Sequence, residues 1–252
     1  MKIQYASDLH IEFSENNEFL KANLLKKVGD ILILAGDIVP FKVLNRIDDF
    51  FQYLSDNFEN TYWIPGNHEY YQYNLADKQG MFHEKIKKNV HLLNNVKLDI
   101  NGIDFLFTTL WSHISPRNQW QIQSSMNDFH VIQNGDEILS IEQYNSLHNE
   151  SISFLNNNIS SGTAAKSIVV SHHAPTLMNY PEQYKGDVLN EAFAVELFDF
   201  IEKHQPDYWI YGHTHSNTDD FNIGKTCLVT NQLGYVGYNE HKDFEINRVF
   251  EL

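Results

Sequence analysis

The stretch Ile31-Leu32-Ile33-Leu34-Ala35-Gly36-Asp37 decides the fold class of this chain. Five consecutive apolar residues without polar alternation fit a strand covered on both faces, as parallel strands in layered α/β proteins are. Gly36-Asp37 then closes the run with a turn and a carboxylate. Working outward, Lys2 to Ala6 reads as a strand that runs into Asp8-Leu9-His10. Asn60-Thr61-Tyr62-Trp63-Ile64 reads as another, closed by Pro65-Gly66. Between them, residues 43–54 place Val43, Leu44, Ile47, Phe50, Phe51 and Leu54 at helical spacing. Further strands are expected at 103–109, 168–170 and 208–211, and helices at 142–155 and 191–204, the latter stopping ahead of Pro206. The tail from 221 to 252 reads as strands with Gly-containing turns. Alternation early and hairpins late predict an α/β protein with a mixed sheet, distinct from a pure Rossmann order.

Composition sets the outer bounds. The 252 residues show no repeat or linker that would divide them, so a single domain over 1–252 is expected. A formal net charge of −15 argues against a basic face for extended nucleic acid. The one basic cluster, Lys85-Ile86-Lys87-Lys88, reads as a solvated helix face. Cys227 is the only cysteine, which excludes an intramolecular disulfide. No apolar run approaches the roughly 18–20 residues of a membrane helix, and residues 2–6 do not resemble a signal peptide. A cytoplasmic location without membrane contact is the resulting expectation; the oligomeric state is not legible.

Five polar clusters each follow a predicted strand: Asp8-Leu9-His10, Gly36-Asp37, Gly66-Asn67-His68-Glu69, Ser171-His172-His173 and Gly212-His213-Thr214-His215. Loops at the carboxyl ends of strands in α/β sheets converge on a crevice, so these clusters can meet in space. Their oxygen and nitrogen donors suit Mn, Fe, Zn, Ni or Co. Singly they are weak signals. Asp-x-His is expected about once by chance, and a second copy exists at Asp128-Phe129-His130. That copy lacks a preceding apolar strand and reads as loop or cap structure. The ordered set is what carries specificity.

In that order the chain resembles the calcineurin-like metallophosphoesterases, whose pattern is D-x-H, G-D, G-N-H-[DE], H-x-P or H-H-x-P, and G-H-x-H. Here these read Asp8-Leu9-His10, Gly36-Asp37, Gly66-Asn67-His68-Glu69, His172-His173-Ala174-Pro175 and Gly212-His213-Thr214-His215. The resemblance implies a four-layer α/β/β/α sandwich with two mixed β-sheets and two divalent or trivalent metal ions, manganese among the candidates. It implies that one ion takes Asp8, His10, Asp37 and His215, and the other Asp37, Asn67, His172 and His213, with Asp37 bridging. A shared carboxylate can hold two cations about 3.5–4 Å apart. Neutral Asn67 binds without cancelling more of their charge.

The implied reaction is hydrolysis of a small phosphodiester or phosphomonoester, nucleotide-like substrates being favoured, by a hydroxide held between the metals. His68 would stabilise the transition state or protonate the leaving oxygen, and Asn67 and His68 would touch substrate. Glu69 either orients His68, supports a metal ligand, or marks a helix start. In the His-His pair His172 is taken as the ligand, leaving His173 to pack or to touch substrate. Arg117, one of only three arginines, either pairs with a phosphate or is a solvated loop residue. Tyr70, Tyr71 and Tyr73 line a pocket or pack a core, and the segment 231–235 offers Tyr235 as a substrate contact. Two alternatives stand beside this reading. A phosphoprotein phosphatase is disfavoured because Gly36-Asp37-Ile38-Val39-Pro40 lacks the later Asp-Arg of that branch. A non-catalytic scaffold on the same fold would be expected to have lost ligands.

Overall fold

Two sheets face each other in the computed structural model, which describes residues 1–159 and 166–252. The strands in chain order are β1 (Lys2–Ala6), β2 (Ile31–Ala35), β3 (Asn60–Ile64), β4 (Phe82–Lys87), β5 (Val90–Asn94), β6 (Val96–Ile100) and β7 (Ile103–Phe107). They continue with β8 (Gln133–Asn134), β9 (Glu137–Ile138), β10 (Lys166–Val170), β11 (Tyr208–Tyr211), β12 (Phe221–Ile223), β13 (Thr226–Thr230) and β14 (Val249–Glu251). The first sheet has the order β14-β1-β2-β3-β5-β4 and the second β12-β13-β11-β10-β7-β6, while β8 and β9 form a separate hairpin. In each sheet the central strands are parallel and the outermost pairings antiparallel. This is the sandwich the motifs imply.

The helices are α1 (Ser14–Ala22), α2 (Asp48–Asn57), α3 (Gln119–Ser125), α4 (Asp128–Val131), α5 (Ile141–Asn158) and α6 (Phe198–His204). Alternate residues of each inner strand serve different layers. Ile31, Ile33 and Ala35 meet Phe105, Phe107, Ile168 and Ile210 between the sheets. Leu32 and Leu34 face outward and pack with Phe51, Leu54 and Trp63 under the first helical layer. Leu106, Val169 and Trp209 face the second, with Leu155 and Ile201. The uninterrupted run at 31–35 is thus explained: both of its faces are core.

Several elements differ from expectation. Residues 43–54 are split between a 3-10 turn (Phe41–Arg46) and α2, which begins on Asp48 and Asp49, residues suited to a helix start. The expected helix over 191–204 is also broken. The carboxylate of Glu191 is held by Ser115 and Asn118, and Val195 and Leu197 donate to Ala174 and Pro175. Glu191 and Ala192 end a 3-10 turn (Val188–Ala192), and only Phe198–His204 is α-helical. Lys85 and Lys87 lie on an edge strand, β4, with a register shift between them. Lysines and irregular register are how sheet edges avoid pairing with other chains. In the tail, 3-10 turns occupy Val236–Tyr238 and Glu240–Asp243 where strands were expected. No helix among the described residues is long and apolar enough to cross a membrane.

Candidate metal centre

All five clusters lie just beyond the carboxyl ends of β1, β2, β3, β10 and β11, three in one sheet and two in the other. Their loops are tied across the sandwich. Asp8 N–H donates to Gly36 O at 2.9 Å, His10 N–H to Asp37 O at 3.0 Å, and Gly212 N–H to His172 O at 2.9 Å. His213 N–H reaches both oxygens of Asp8 at 3.1 Å. Five candidate ligands hold left-handed backbone, with φ of 55° at Asp8, 44° at His10, 56° at Asp37, 74° at His213 and 50° at His215. Side-chain-bearing residues adopt this region at a cost, and such strain collects at functional sites. The motif glycines leave room for ligands: a Cβ on Gly66 would collide with the Asp37 carboxylate and the His172 ring.

Two groups of donor atoms result, joined by Asp37. In one, His10 Nε2 lies 3.0 Å from His215 Nε2 and 3.7 Å from Asp37 Oδ2, and His215 Nε2 lies 3.4 Å from Asp8 Oδ1. In the other, His172 Nε2 lies 3.4 Å from Asp37 Oδ1, 3.2 Å from Asn67 Oδ1 and 3.0 Å from His213 Nδ1. The opposite nitrogens of these rings are already engaged. His172 Nδ1 meets Ala35 O at 2.9 Å, His213 Nε2 meets Ala192 O at 3.2 Å and His215 Nδ1 meets Glu240 Oε2 at 2.8 Å. These acceptors assign the ring protons to those nitrogens, leaving lone pairs turned inward. In those neutral tautomers lone pairs and carboxylate oxygens converge, and a cation is what such a set fits.

The electrostatics agree. Burial opposes charge on His172, but Asp37 overrides it and raises the pKa to about 9. Burial likewise opposes charge on His215, and its contacts with Asp8 and Glu240 raise it to about 10. Burial pushes the Asp37 carboxyl up, and His172 and its other histidine neighbours hold it well below the usual range. The buried carboxylates demand positive charge, supplied by protons or by metal.

His68 projects into the cleft beside both groups. Its N–H donates to Asp37 Oδ1 at 2.9 Å, its ring stacks on Tyr71 at 4.0 Å, and its Nε2 lies 3.4 Å from the Tyr235 hydroxyl. Burial opposes its charge, and Asp37, Glu12 and Asp128 outweigh that and raise its pKa. Glu12 was not legible as a site residue. It lies 3.4 Å from His10 Nδ1 and 3.7 Å from His68 Nδ1. These three side chains form a third group able to hold a metal. Since His10 Nε2 already faces His215, Glu12 reads as the carboxylate that orients both rings.

Glu69 neither touches His68 nor starts a long helix. Its oxygens accept from the N–H groups of Asp37, Ile38, Val39 and Gly66 and from Trp63 Nε1, at 2.6–3.3 Å. Burial raises its pKa, Asp37 adding to this and the backbone N–H groups opposing. With donors on every side, the carboxylate is the form this pocket fits. Stranding any one of those donors costs about 1–3 kcal/mol, so Glu69 fixes the loop that carries Asp37 against the one that carries Asn67.

Two expected substrate contacts are not in the cleft. Arg117 is exposed in the turn before α3, which is anchored to Glu191 through Ser115 and Asn118 instead. His173 is buried and turned away from its neighbour, the two rings crossing at 88°. It packs on Trp111 and His213 and lies 3.2 Å from the Tyr144 hydroxyl, behind the ligands and away from the cleft. The four tyrosines divide: Tyr71 and Tyr235 line the cleft, whereas Tyr70 and Tyr73 pack on Phe41. Gln232 contributes indirectly, accepting from His215 N–H at 2.6 Å.

The second Asp-x-His copy is only half accounted for by a cap. His130 is exposed, but Asp128 is buried and its Oδ1 accepts from Asn67 Nδ2 at 2.9 Å and from the Tyr71 hydroxyl at 2.8 Å. It turns the Asn67 carbonyl oxygen towards His172 and His213. Asp128→Ala is therefore expected to weaken metal binding at the Asn67 group about 10–100-fold, while His130→Ala leaves it unchanged. Metal titration of both proteins checks this, and equal affinities would remove Asp128 from the site.

Comparison with known proteins places this geometry. Residues 1–217 match the calcineurin-like phosphoesterase family. An uncharacterised protein of Acanthamoeba polyphaga mimivirus is 34% identical over 260 residues, covering 92% of this chain and 91% of the relative. Among solved structures, the phosphopantetheinyl hydrolase PptH from Mycobacterium tuberculosis superposes with a TM-score of 0.70 at 13% identity, over 99% of this chain and 95% of the other. At that identity the likeness concerns the fold.

Proposed function

The chain belongs to the calcineurin-like phosphoesterase family, and on that premise we propose that it is a binuclear, metal-dependent phosphoesterase acting on a small phosphomonoester or phosphodiester. The observation that carries this reading is the pair of donor groups sharing Asp37, whose two oxygens face opposite sides, Oδ2 to His10 and Oδ1 to His172. Asp8, His10, Asp37 and His215 would hold one ion, and Asp37, Asn67, His172 and His213 the other. The bound ions would supply Lewis acidity towards a phosphoryl oxygen and a water activated at neutral pH.

The remaining work falls to the chain's own groups. His68, with its pKa raised by the surrounding carboxylates, carries a proton towards the departing oxygen. Glu12 and Tyr71 hold that ring in place, and Tyr235 closes the cleft over it. A phosphoprotein phosphatase remains the weaker reading, since neither the Asp-Arg extension nor any other arginine reaches this cleft.

Metal analysis combined with hydrolysis of an aryl phosphate monoester and the matching diester tests the proposal. Two ions per chain and metal-dependent turnover of at least one ester are expected, with loss on chelation and recovery on adding Mn, Ni, Zn or Fe. Two tightly bound ions with no turnover of either ester would instead favour a scaffold.

A further inference from the structure

The cleft over the metal groups has a volume of about 380 Å³, and no Lys or Arg side chain lines it among the described residues. Residues 160–165, which are not described, contain no charged residue. Each of the three arginines is accounted for elsewhere. Arg46 borders a separate apolar pocket, Arg117 is exposed before α3, and Arg248 pairs with Asp220 and Glu245. Lys185 belongs to the loop that forms one wall, and its ammonium group is paired with Glu182. Beyond the metal groups and the His68 ring, the charged groups that line the cleft are the carboxylates of Asp187 and of Glu240, the latter paired with His215.

Away from the metal groups the walls are apolar and aromatic. Tyr180, Tyr184, Leu189 and Phe193 come from the segment between β10 and α6, facing Tyr71 and Met126. Phe193 stacks on His213 at 4.7 Å, so this wall begins directly beside the ligands. Tyr184 is 39% exposed at the rim, an apolar surface left open.

Resting on the phosphoesterase reading, we propose that the substrate carries a single phosphoryl group on an uncharged, ring-bearing alcohol. Bound metals can neutralise one phosphoryl group. A second phosphate or a carboxylate on the leaving group would enter the outer cleft, away from the metal groups and His68. There Asp187 is a carboxylate and no Lys or Arg reaches, and like charges are penalised. A flat uncharged ring gains burial against the tyrosine and phenylalanine wall. Nucleoside di- and triphosphates and acidic phosphopeptides are therefore discriminated against, whereas an alcohol with a neutral ring fits.

The test compares phenyl, 1-naphthyl and 4-carboxyphenyl phosphate with the metal-loaded protein. A para carboxylate makes the phenolate a better leaving group, so chemistry alone favours the carboxylated ester. The cleft predicts the reverse: kcat/KM about tenfold or more lower than for phenyl phosphate, mainly through KM, with 1-naphthyl phosphate the best of the three. Asp187→Asn, which keeps an oxygen for the Leu189 N–H, should narrow the gap between phenyl and carboxyphenyl esters. Tyr184→Ala should raise KM most for the naphthyl ester. Equal or better turnover of the carboxyphenyl ester would overturn the substrate class while leaving the phosphoesterase reading intact. Turnover of none of the three with hydrolysis of an aryl phosphodiester retained would overturn the substrate class alone. Turnover of neither the three nor the diester, with two metals bound, would overturn both.

Discussion

Asp37→Ala is expected to lose both metal ions and, with them, hydrolysis by about 10³-fold or more, since metal stabilisation of the transition state supplies several kcal/mol. No other side chain belongs to both donor groups. One Asp37 oxygen faces His10 and the other His172, and the residue also accepts the His68 N–H. His10→Ala should behave differently, weakening the ion near Asp8 and His215 while sparing the group built from Asn67, His172 and His213. Metal analysis of the purified variants separates the two cases. If Asp37→Ala still bound two ions tightly, Asp37 would not be the bridge.

His68→Ala is expected to keep both ions and lose about 10²–10⁴ in rate, the range of a general acid. The size of the loss should follow the leaving group. An alkoxide is too basic to depart unaided, so protonation matters most there, whereas nitrophenolate is stable near neutral pH. The defect should therefore be large on alkyl esters, smaller on phenyl phosphate and smallest on nitrophenyl phosphate. A uniform loss across the esters would assign His68 to phosphate positioning through its place beside Asp37. Loss of an ion would make it part of the metal site, as its proximity to His10 and Glu12 would then explain.

The family resemblance supplied the seven residues whose donor atoms converge, while the chain alone made legible the layered α/β class, the strands at 2–6, 31–35, 60–64 and 208–211, and the polar clusters that end them. These were legible because each rests on local chemistry. The uninterrupted apolar run at 31–35, short and closed by a turn, fits a strand hidden on both faces, and a polar cluster directly after a strand stands where α/β crevices form. Tertiary structure decided the rest. Residues 82–87 form an edge strand whose lysines mimic a helix face, since an edge needs no apolar side of its own. Glu12, Asp128 and Glu240 join the site by meeting His10, Asn67 and His215. Two of those contacts span 61 and 25 residues, and no short motif records such a separation. Arg117 and His173 left the site for the converse reason. A residue type suited to phosphate or metal becomes functional only if its backbone points it there, and the packing around Glu191 and Tyr144 points these two elsewhere.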